Sequence, residues 1–552
     1  MDEQKQTIAE DTVVAEESAV TTAGGGTPSG EAATAAKTVP GKKIGKFDKF
    51  FGISKSGSTV GTEIFAGIAT FLAMAYILTV NPNQIVGFDP SKPLWSSVFI
   101  ATALGALIGT LLMALFAKMP LAQAPGMGLN AALGGIVGGW TYNKTFSFGT
   151  AMLMVLISGA LFLILTVVPC GRDKETGRLI GIREKIFDSI PAGIRVAIPV
   201  GIGLFIAYIG FQNAGIIVHS PYTQVDLVNF TNWGDQVVNV GAGVSIAAKS
   251  ACVGFISLFA IAILSHYRVK GSVILGILIA TLAGMAFQIV DFGIIAGKNA
   301  GVTWKFWENF KNFFSMDANN GGSFLAAFHD IKFPAGSLLT VLVIILSFCM
   351  IDMFDTMGTV LGCCSKANLL DEKGKPVRFN RIMMSDAIAT CAGAMLGTST
   401  VTTFVESGTG VAAGGRTGLT ALVTAILFLL SIFVLPVFAF IPSAAAAGAL
   451  IYVGVLMMSN VVNIDFTNIK IAVPAFLTII MMPLAYSITD GIGIGMISYV
   501  IINLFCYAVD MIKYAAVKNK DAAAVKPKFN ISVVLLIITV LFVLYFFLPA
   551  SI

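Results

Sequence analysis

Residues 398–415 read TSTVTTFVESGTGVAAGG: a β-branched run, then an acid, then glycine at nearly every second position. The run favours extended backbone. The stretch after it suits a short helix in which Glu406 stands at the start. On either side the chain is apolar for span-length distances, so extended backbone and a carboxylate both fall where hydrocarbon is expected. Such backbone is tolerated at membrane depth only where protein or a water-filled cavity covers it. A second stretch, LSFCMIDMFDTMGTVLG at 346–362, places Asp352 and Asp355 in an equally apolar setting. A carboxylate at bilayer depth costs at least ~2.5 kcal/mol and by default faces a cavity, a partner or a proton path.

The surrounding composition agrees with a membrane solvent. Hydrophobic residues make up 56% of the 552-residue chain and charged residues only 12%, against about 25% charged in a soluble domain; the mean hydropathy is +0.85. Apolar stretches fall at 62–80, 96–117, 120–140, 146–168, 191–211, 248–265, 271–292, 336–358, 382–397, 399–414, 418–440, 442–460, 470–488 and 490–512. Another lies at 530–549. The fold class expected is therefore an all-α polytopic membrane protein with fourteen spans, short extended segments in the third and tenth, and an optional extra C-terminal span. Residues 1–45 are rich in Ala, Thr, Gly and Glu, lack apolar periodicity and read as a disordered cytoplasmic tail without signal-peptide features. Residues 514–552 read as a cytoplasmic linker followed by the extra hydrophobic stretch.

Positive charge gives the orientation. From a cytoplasmic N-terminus, the loops after even-numbered spans are basic: Arg172, Lys174, Arg178, Arg183 and Lys185; Arg268 and Lys270; Lys366, Lys373, Lys375, Arg378 and Arg381; Lys513, Lys518, Lys520, Lys526 and Lys528. Residues 212–247, expected outside, hold no Lys or Arg. The outside loop 293–335 carries Lys298, Lys305, Lys311 and Lys332, but its length makes it a poor orientation signal. The net charge of +5 is spread over short loops, which excludes a nucleic-acid face.

The third span opens as LAQAPGMGLNAALGG, and the two broken spans echo each other: Gly126-x-Gly128-Leu129-x-Ala131 against Gly408-x-Gly410-Val411-x-Ala413. Ile190-Pro191-Ala192 and Ile441-Pro442-Ser443 form a weaker echo. Seven spans separate the third from the tenth, so the copies run in opposite directions. Paired broken helices in inverted repeats point to a secondary transporter's binding site near the midplane.

The candidate site residues are Asp355, Glu406, Asn130, Asp352, Gly408 and Ser407. Asp352 and Asp355, three apart on a helix, face one side; they read either as lining a cavity or as a solvated turn at the inner end of the eighth span. Glu406 reads as a ligand group at a half-helix N-terminus or as a plain N-terminal carboxylate. Asn130 offers a donor and an acceptor to a heterocycle edge, or makes an interhelical hydrogen bond. Glu63 reads as a first-turn acid at the inner interface. The histidines His219, His266 and His329 fall at span ends or in loops, leaving Asp355, Glu406 and Asp352 as the proton-carrying candidates.

Other chemistries find no support. Cys170, Cys252, Cys349, Cys363, Cys364, Cys391 and Cys506 show no C-x-x-C spacing and read as small buried hydrophobes; no metal-ligand spacing appears and no cofactor is expected. GTGVAAGGRTG lacks the G-K-[ST] of a phosphate loop. The N-x-[ST] triplets at Asn143, Asn229 and Asn530 read as accidental. A membrane hydrolase would need a nucleophile–His pair or a metal cluster, so an enzyme is not expected. A channel would not need inverted broken helices around a single site.

The stretches STVGTEIFAGIATFLAMAYILTVNP (58–82), APGMGLNAAL (124–133), MFDTMGTVLG (353–362) and TTFVESGTGVAAGGRTGLTA (402–421) resemble the nucleobase–cation symporter-2 superfamily, in its AzgA-like branch of purine nucleobase permeases. The resemblance covers roughly 45–515. It implies fourteen helices in two inverted seven-helix repeats, with a core domain at 58–168 and 336–440 and a gate domain at 191–292 and 442–513. It further implies a purine held between the third, eighth and tenth spans by Asp355 and Glu406, with Asp352 and Asn130 beside them. The function expected is purine import by proton symport and alternating access, at the plasma (inner) membrane, with lipid as surroundings and a homodimer left open. A uracil/xanthine permease or an anion transporter of the same fold is the alternative, though three acids would repel an anion.

Overall fold

The computed structural model describes residues 46–547 apart from 88–91, 139–145, 173–178, 221–223, 232, 234–236, 241–242, 270, 291, 294–301, 316–320, 335, 372–375, 519–526, 528 and 530. The expected tail at 1–45, Asn143, Asn530, and the loop cations Lys174, Arg178, Lys270, Lys298, Lys373, Lys375, Lys520, Lys526 and Lys528 lie outside the described residues.

A short helix α1 (Lys46–Phe51) precedes the first apolar stretch, which is broken in two: α2 (Val60–Met74) and α3 (Ile77–Val86) flank a turn at Ala75 and Tyr76. Pro82 lies inside α3, where its missing N–H weakens the helix just after the break. Next come α4 (Pro93–Leu112), β1 (Gln123–Pro125), α5 (Met127–Val137) and α6 (Phe148–Val167). A hairpin of β2 (Pro169–Arg172) and β3 (Leu179–Gly181) leads to α7 (Ile182–Ser189) and α8 (Ala192–Asn213). Two further hairpins, β4 (Ile217–Ser220) with β5 (Gln224–Leu227) and β6 (Val237–Val240) with β7 (Gly243–Ile246), fill the segment expected as an outside loop. Strands were not anticipated in this segment, because the alternation in each is too short to stand out beside twenty-residue apolar runs.

The chain continues through α9 (Ala247–His266), α10 (Ser272–Ala286), α11 (Phe306–Phe313), α12 (Ala326–His329), α13 (Leu338–Lys366), α14 (Phe379–Leu396), β8 (Val401–Thr403) and α15 (Ser407–Ala412). The last elements are α16 (Gly418–Ser431), α17 (Leu435–Ala439), α18 (Ser443–Met458), α19 (Ile469–Leu484), α20 (Ile488–Lys518) and α21 (Val533–Phe547). Among the described residues nine helices are long and apolar enough to cross a membrane; α5, α10, α19 and the apolar part of α21 are shorter. At 15 residues, α21 falls short of the ~20 needed for a straight crossing. Large apolar side chains such as Leu346, Leu430, Phe505 and Val540 are exposed on the long helices, the outward face that lipid requires.

Packing gathers α8, α9, α10, α18, α19 and α20 against one another, and α2, α4, α6, α14 and α16 against one another. Small residues allow the close approaches. A Cβ on Gly454 would lie 2.6 Å from the Gly203 carbonyl oxygen, and one on Gly448 2.4 Å from Ser257. Pro191 and Pro442, the weaker sequence echo, occupy the same place in the two halves, at the N-caps of α8 and α18.

Candidate functional site

The two β-branched or Pro/Gly-rich breaks meet. β1 and β8 pair antiparallel, with Gln123 opposite Thr403, Ala124 opposite Thr402 and Pro125 opposite Val401. Each strand satisfies the other's backbone in the interior, and α5 and α15 leave from the crossing. Ser407 ties the second half-helix to the first strand: its Oγ accepts from the Ala122 N–H at 3.0 Å. Gln123 fixes the crossing from behind, donating from Nε2 to Asp386 Oδ1 at 3.0 Å and to Thr403 Oγ1 at 3.4 Å. Thr356 of α13 donates to the same Asp386 oxygen at 2.9 Å, one residue from Asp355.

A cavity with about 310 Å³ of empty space, open solvent included, lies in front of this crossing. Its walls are Gly126, Met127 and residues 402–406 from the crossing, Asp355 and Thr359 from α13, Ile206 from α8 and Met457 from α18. Glu406 is 4% exposed. Its Oε1 accepts from the Tyr76 hydroxyl at 2.6 Å, and its Oε2 has no hydrogen-bond partner among the described residues. The Thr402 hydroxyl is likewise buried without a partner. Asp355 stands close enough for its charge to interact with that of Glu406. Asp355, Glu406 and the threonines Thr359, Thr402 and Thr403 thus line the cavity between Met127, Phe404, Ile206 and Met457. No Lys or Arg is among its described walls.

Several expected site residues are held elsewhere. Asp352 does not share Asp355's exposure to the cavity: it is fully buried, and its Oδ2 accepts from Thr390 of α14 at 3.0 Å. Three residues on a helix differ by about 60° in direction, enough to divide a cavity wall from a helix contact. Asn130 is also fully buried and outside the cavity walls. Its Oδ1 accepts from the hydroxyl of Ser399, in the segment between α14 and β8, and its Nδ2 donates to the carbonyl of Pro125 in β1 at 3.4 Å; its bonds run to the crossing and not to another helix. Ser407 and Gly408 flank the cavity without lining it.

The dipole expectation for Glu406 also changes. α15 has only six residues, Glu406 makes no capping bond, and the N–H groups of Ser407, Gly408 and Thr409 donate to Phe404, Val405 and Glu406 carbonyls. Tyr76 supplies the donor instead. It sits at the break of the first span, and a turn beside Pro82 was the only signal that could have found it. Asp386 was not singled out from the sequence, although it lies inside the apolar stretch 382–397. Glu63 is an acid of the first turn of α2, and it is fully buried. Its carboxylate accepts from the Arg416 and Thr417 N–H groups at 3.0 and 3.2 Å and from the Thr420 hydroxyl at 2.6 Å, capping the entry to α16. Among the described residues no three His, Cys, Asp or Glu side chains converge to hold a metal ion.

The sequence profile described as "Permease family" (xanthine/uracil type) matches residues 61–494. The chain belongs to the permease family. Its members among similar proteins include the adenine permease AdeP of Escherichia coli, 36% identical over 464 residues, covering 83% of this chain and 91% of that one. The guanine/hypoxanthine permease PbuG of Bacillus subtilis is 36% identical over 460 residues, 82% of this chain and 92% of its own length. Among solved structures, the murine anion transporter Slc26a9 in its inward-facing state matches with a TM-score of 0.51 at 10% identity, over 86% of this chain and 74% of that chain, a likeness of fold. This permease is therefore a multi-pass membrane transporter and not an enzyme, as the sequence led us to expect.

Proposed function

We propose that this permease carries purine nucleobases across the membrane as a proton symporter. The observation that carries the reading is the Glu406 carboxylate, which lines the cavity together with Asp355 and is held at Oε1 by Tyr76, while its Oε2 is buried without a hydrogen-bond partner among the described residues. A planar bicyclic base presents N–H groups along one edge, which carboxylate oxygens accept, and apolar faces that suit Phe404 and the methionines. The names of the relatives, adenine and guanine/hypoxanthine permeases, support the same substrate class. The acidic, cation-free walls argue against an anion despite the likeness of fold to an anion transporter.

In this reading Asp355 and Glu406 exchange the coupled proton, and one proton on the pair leaves a donor and an acceptor facing the base. The fourteen apolar stretches form two inverted repeats with an N-terminus in the cytoplasm, in the plasma (inner) membrane. α2–α6 and α13–α17 act as the core, and α8–α10 and α18–α20 as the gate. Rocking of core against gate gives alternating access. One charge moving down 100 mV supplies ~2.3 kcal/mol, or about 50-fold accumulation. The test is uptake of radiolabelled hypoxanthine, adenine and guanine in cells lacking purine permeases, with and without a protonophore. Protonophore-sensitive uptake of one of them is expected. Uptake of uracil or of anions in place of all three would overturn the purine assignment, and protonophore-insensitive purine uptake would overturn the proton.

A further inference from the structure

Most glycines around the crossing have a packing reason to be glycine. A Cβ on Gly128 would lie 2.4 Å from Ile488, on Gly134 2.0 Å from the Gln84 carbonyl oxygen, on Gly410 2.0 Å from the Thr70 hydroxyl, and on Gly358 3.1 Å from Pro199. Two glycines are different. Gly362 in α13 and Gly408 in α15 would place a Cβ with nothing within 4 Å among the described residues, and neither has the positive φ that favours glycine. Inside a helix such a glycine is less favourable than alanine, so neither packing nor backbone accounts for it.

Gly362 follows the cavity-lining Thr359 by three residues, and Gly408 follows the cavity-lining Glu406 by two. Asp355, Thr359 and Gly362 are spaced four and three apart, so they run along one face of α13, from the cavity wall to an exposed position. α13 and α15 are in contact, and Cys363 Sγ donates to the Val405 carbonyl at 3.7 Å, which brings this turn of α13 level with the loop carrying Glu406. On the α15 side Gly408 is half-exposed, and Ala412, one turn on, is exposed. α13 ends at Lys366, ahead of Arg378 and Arg381, the basic loop that the charge pattern puts in the cytoplasm.

We infer that the transported molecule passes between the cavity and the cytoplasm over the faces of α13 and α15 that carry Gly362 and Gly408, and that the absent side chains of these two glycines widen the passage on its core side and thereby set the size of molecule released. This rests on the reading of the cavity as the transport site. A planar base with no sugar fits such a slot edgewise, whereas a nucleoside adds bulk out of the plane.

The test has two arms in the full-length protein. In the first, Gly362 and Gly408 are replaced singly by Ala and Leu, and initial hypoxanthine uptake is measured at equal surface expression. Uptake is expected to fall stepwise with side-chain size, by about tenfold or more for Gly362→Leu and Gly408→Leu because release limits turnover. Wild-type rates in both leucine variants would overturn the inference. In the second, Gly362→Cys and Gly408→Cys are made in a background without the native cysteines and exposed to a membrane-impermeant methanethiosulfonate in inside-out and right-side-out vesicles. Labelling from the cytoplasmic side alone is expected, and equal labelling from outside would overturn the route. The second arm needs no purine. If the unsubstituted protein carries none of the three purines but labelling is sided as expected, the purine reading falls and the passage stands.

Discussion

The two half-helices that leave the β1–β8 crossing share a glycine motif and differ in what they carry. In the first, Gly126 follows β1 directly and α5 runs eleven residues. In the second, Phe404, Val405, Glu406 and Ser407 stand between β8 and the matching Gly408, and α15 runs only six. α5 is packed shut, with Gly128 against Ile488 and Gly134 against Gln84, and its amide Asn130 is spent on Ser399. The interposed turn of the second copy carries Glu406, which lines the cavity and whose Oε2 is buried without a hydrogen-bond partner among the described residues. The repeat supplies a scaffold, and a local difference in length installs the chemistry on one side of it.

The strongest way to break this asymmetry is to remove the acid. Glu406→Ala deletes the acceptor for both Tyr76 and the substrate, and hydrogen bonds to charged groups contribute ~1.5–3 kcal/mol each. Uptake should fall at least about 100-fold with surface expression intact, the product of two such losses. Residual transport within about tenfold of the unsubstituted protein would mean that Asp355 alone serves the site. Tyr76→Phe removes only the bond to Oε1. It should raise KM for hypoxanthine about tenfold with turnover nearly kept, because the carboxylate remains but is no longer aimed. An unchanged KM would show that the pairing is incidental to binding.

The crossing itself is common to both halves, so its loss should register as stability. Gln123 and Thr356 both donate to Asp386. Asp386→Ala leaves two buried donors without that acceptor, at about 1–3 kcal/mol each, and should lower the Tm of the purified protein. An unchanged Tm accompanied by lost uptake would move Asp386 from scaffold to coupling.

What could be read before the structure follows from the same physics. The extended segments were legible because Thr398–Thr403 is a run of residues that resist helix, and Pro125 with its glycines does the same; a departure from helix inside an apolar stretch is a strong local signal. Glu406 and Asp355 were legible because burying a carboxylate is costly and therefore seldom accidental. Tyr76 was not, because tyrosine in an apolar stretch is unremarkable until its hydroxyl has a partner 330 residues away in sequence. The separation of Asp352 from Asp355 depended on how α13 is rotated, and that is set by α14, through Thr390, rather than by residue spacing. The same holds for Glu63, whose partners lie on the entry to α16.

The smallest effect sharpens the comparison most. Asn130→Ala removes an acceptor from the Ser399 hydroxyl, just ahead of β8, and a donor to the Pro125 carbonyl of β1, neither of them in the cavity wall. The expected cost is about 0.5–1.5 kcal/mol per neutral hydrogen bond, read as a lower Tm, with KM for hypoxanthine within about twofold of the unsubstituted protein because no contact to the substrate is lost. Asn130→Asp should be worse for stability, since it buries a charge beside Ser399 without a cation. If instead KM rises about tenfold, as the loss of a substrate contact would require, while Tm holds, the amide turns toward the base during the transport cycle. The first half-helix would then be as chemical as the second, and the added turn that carries Glu406 would be one of two binding arms rather than the only one.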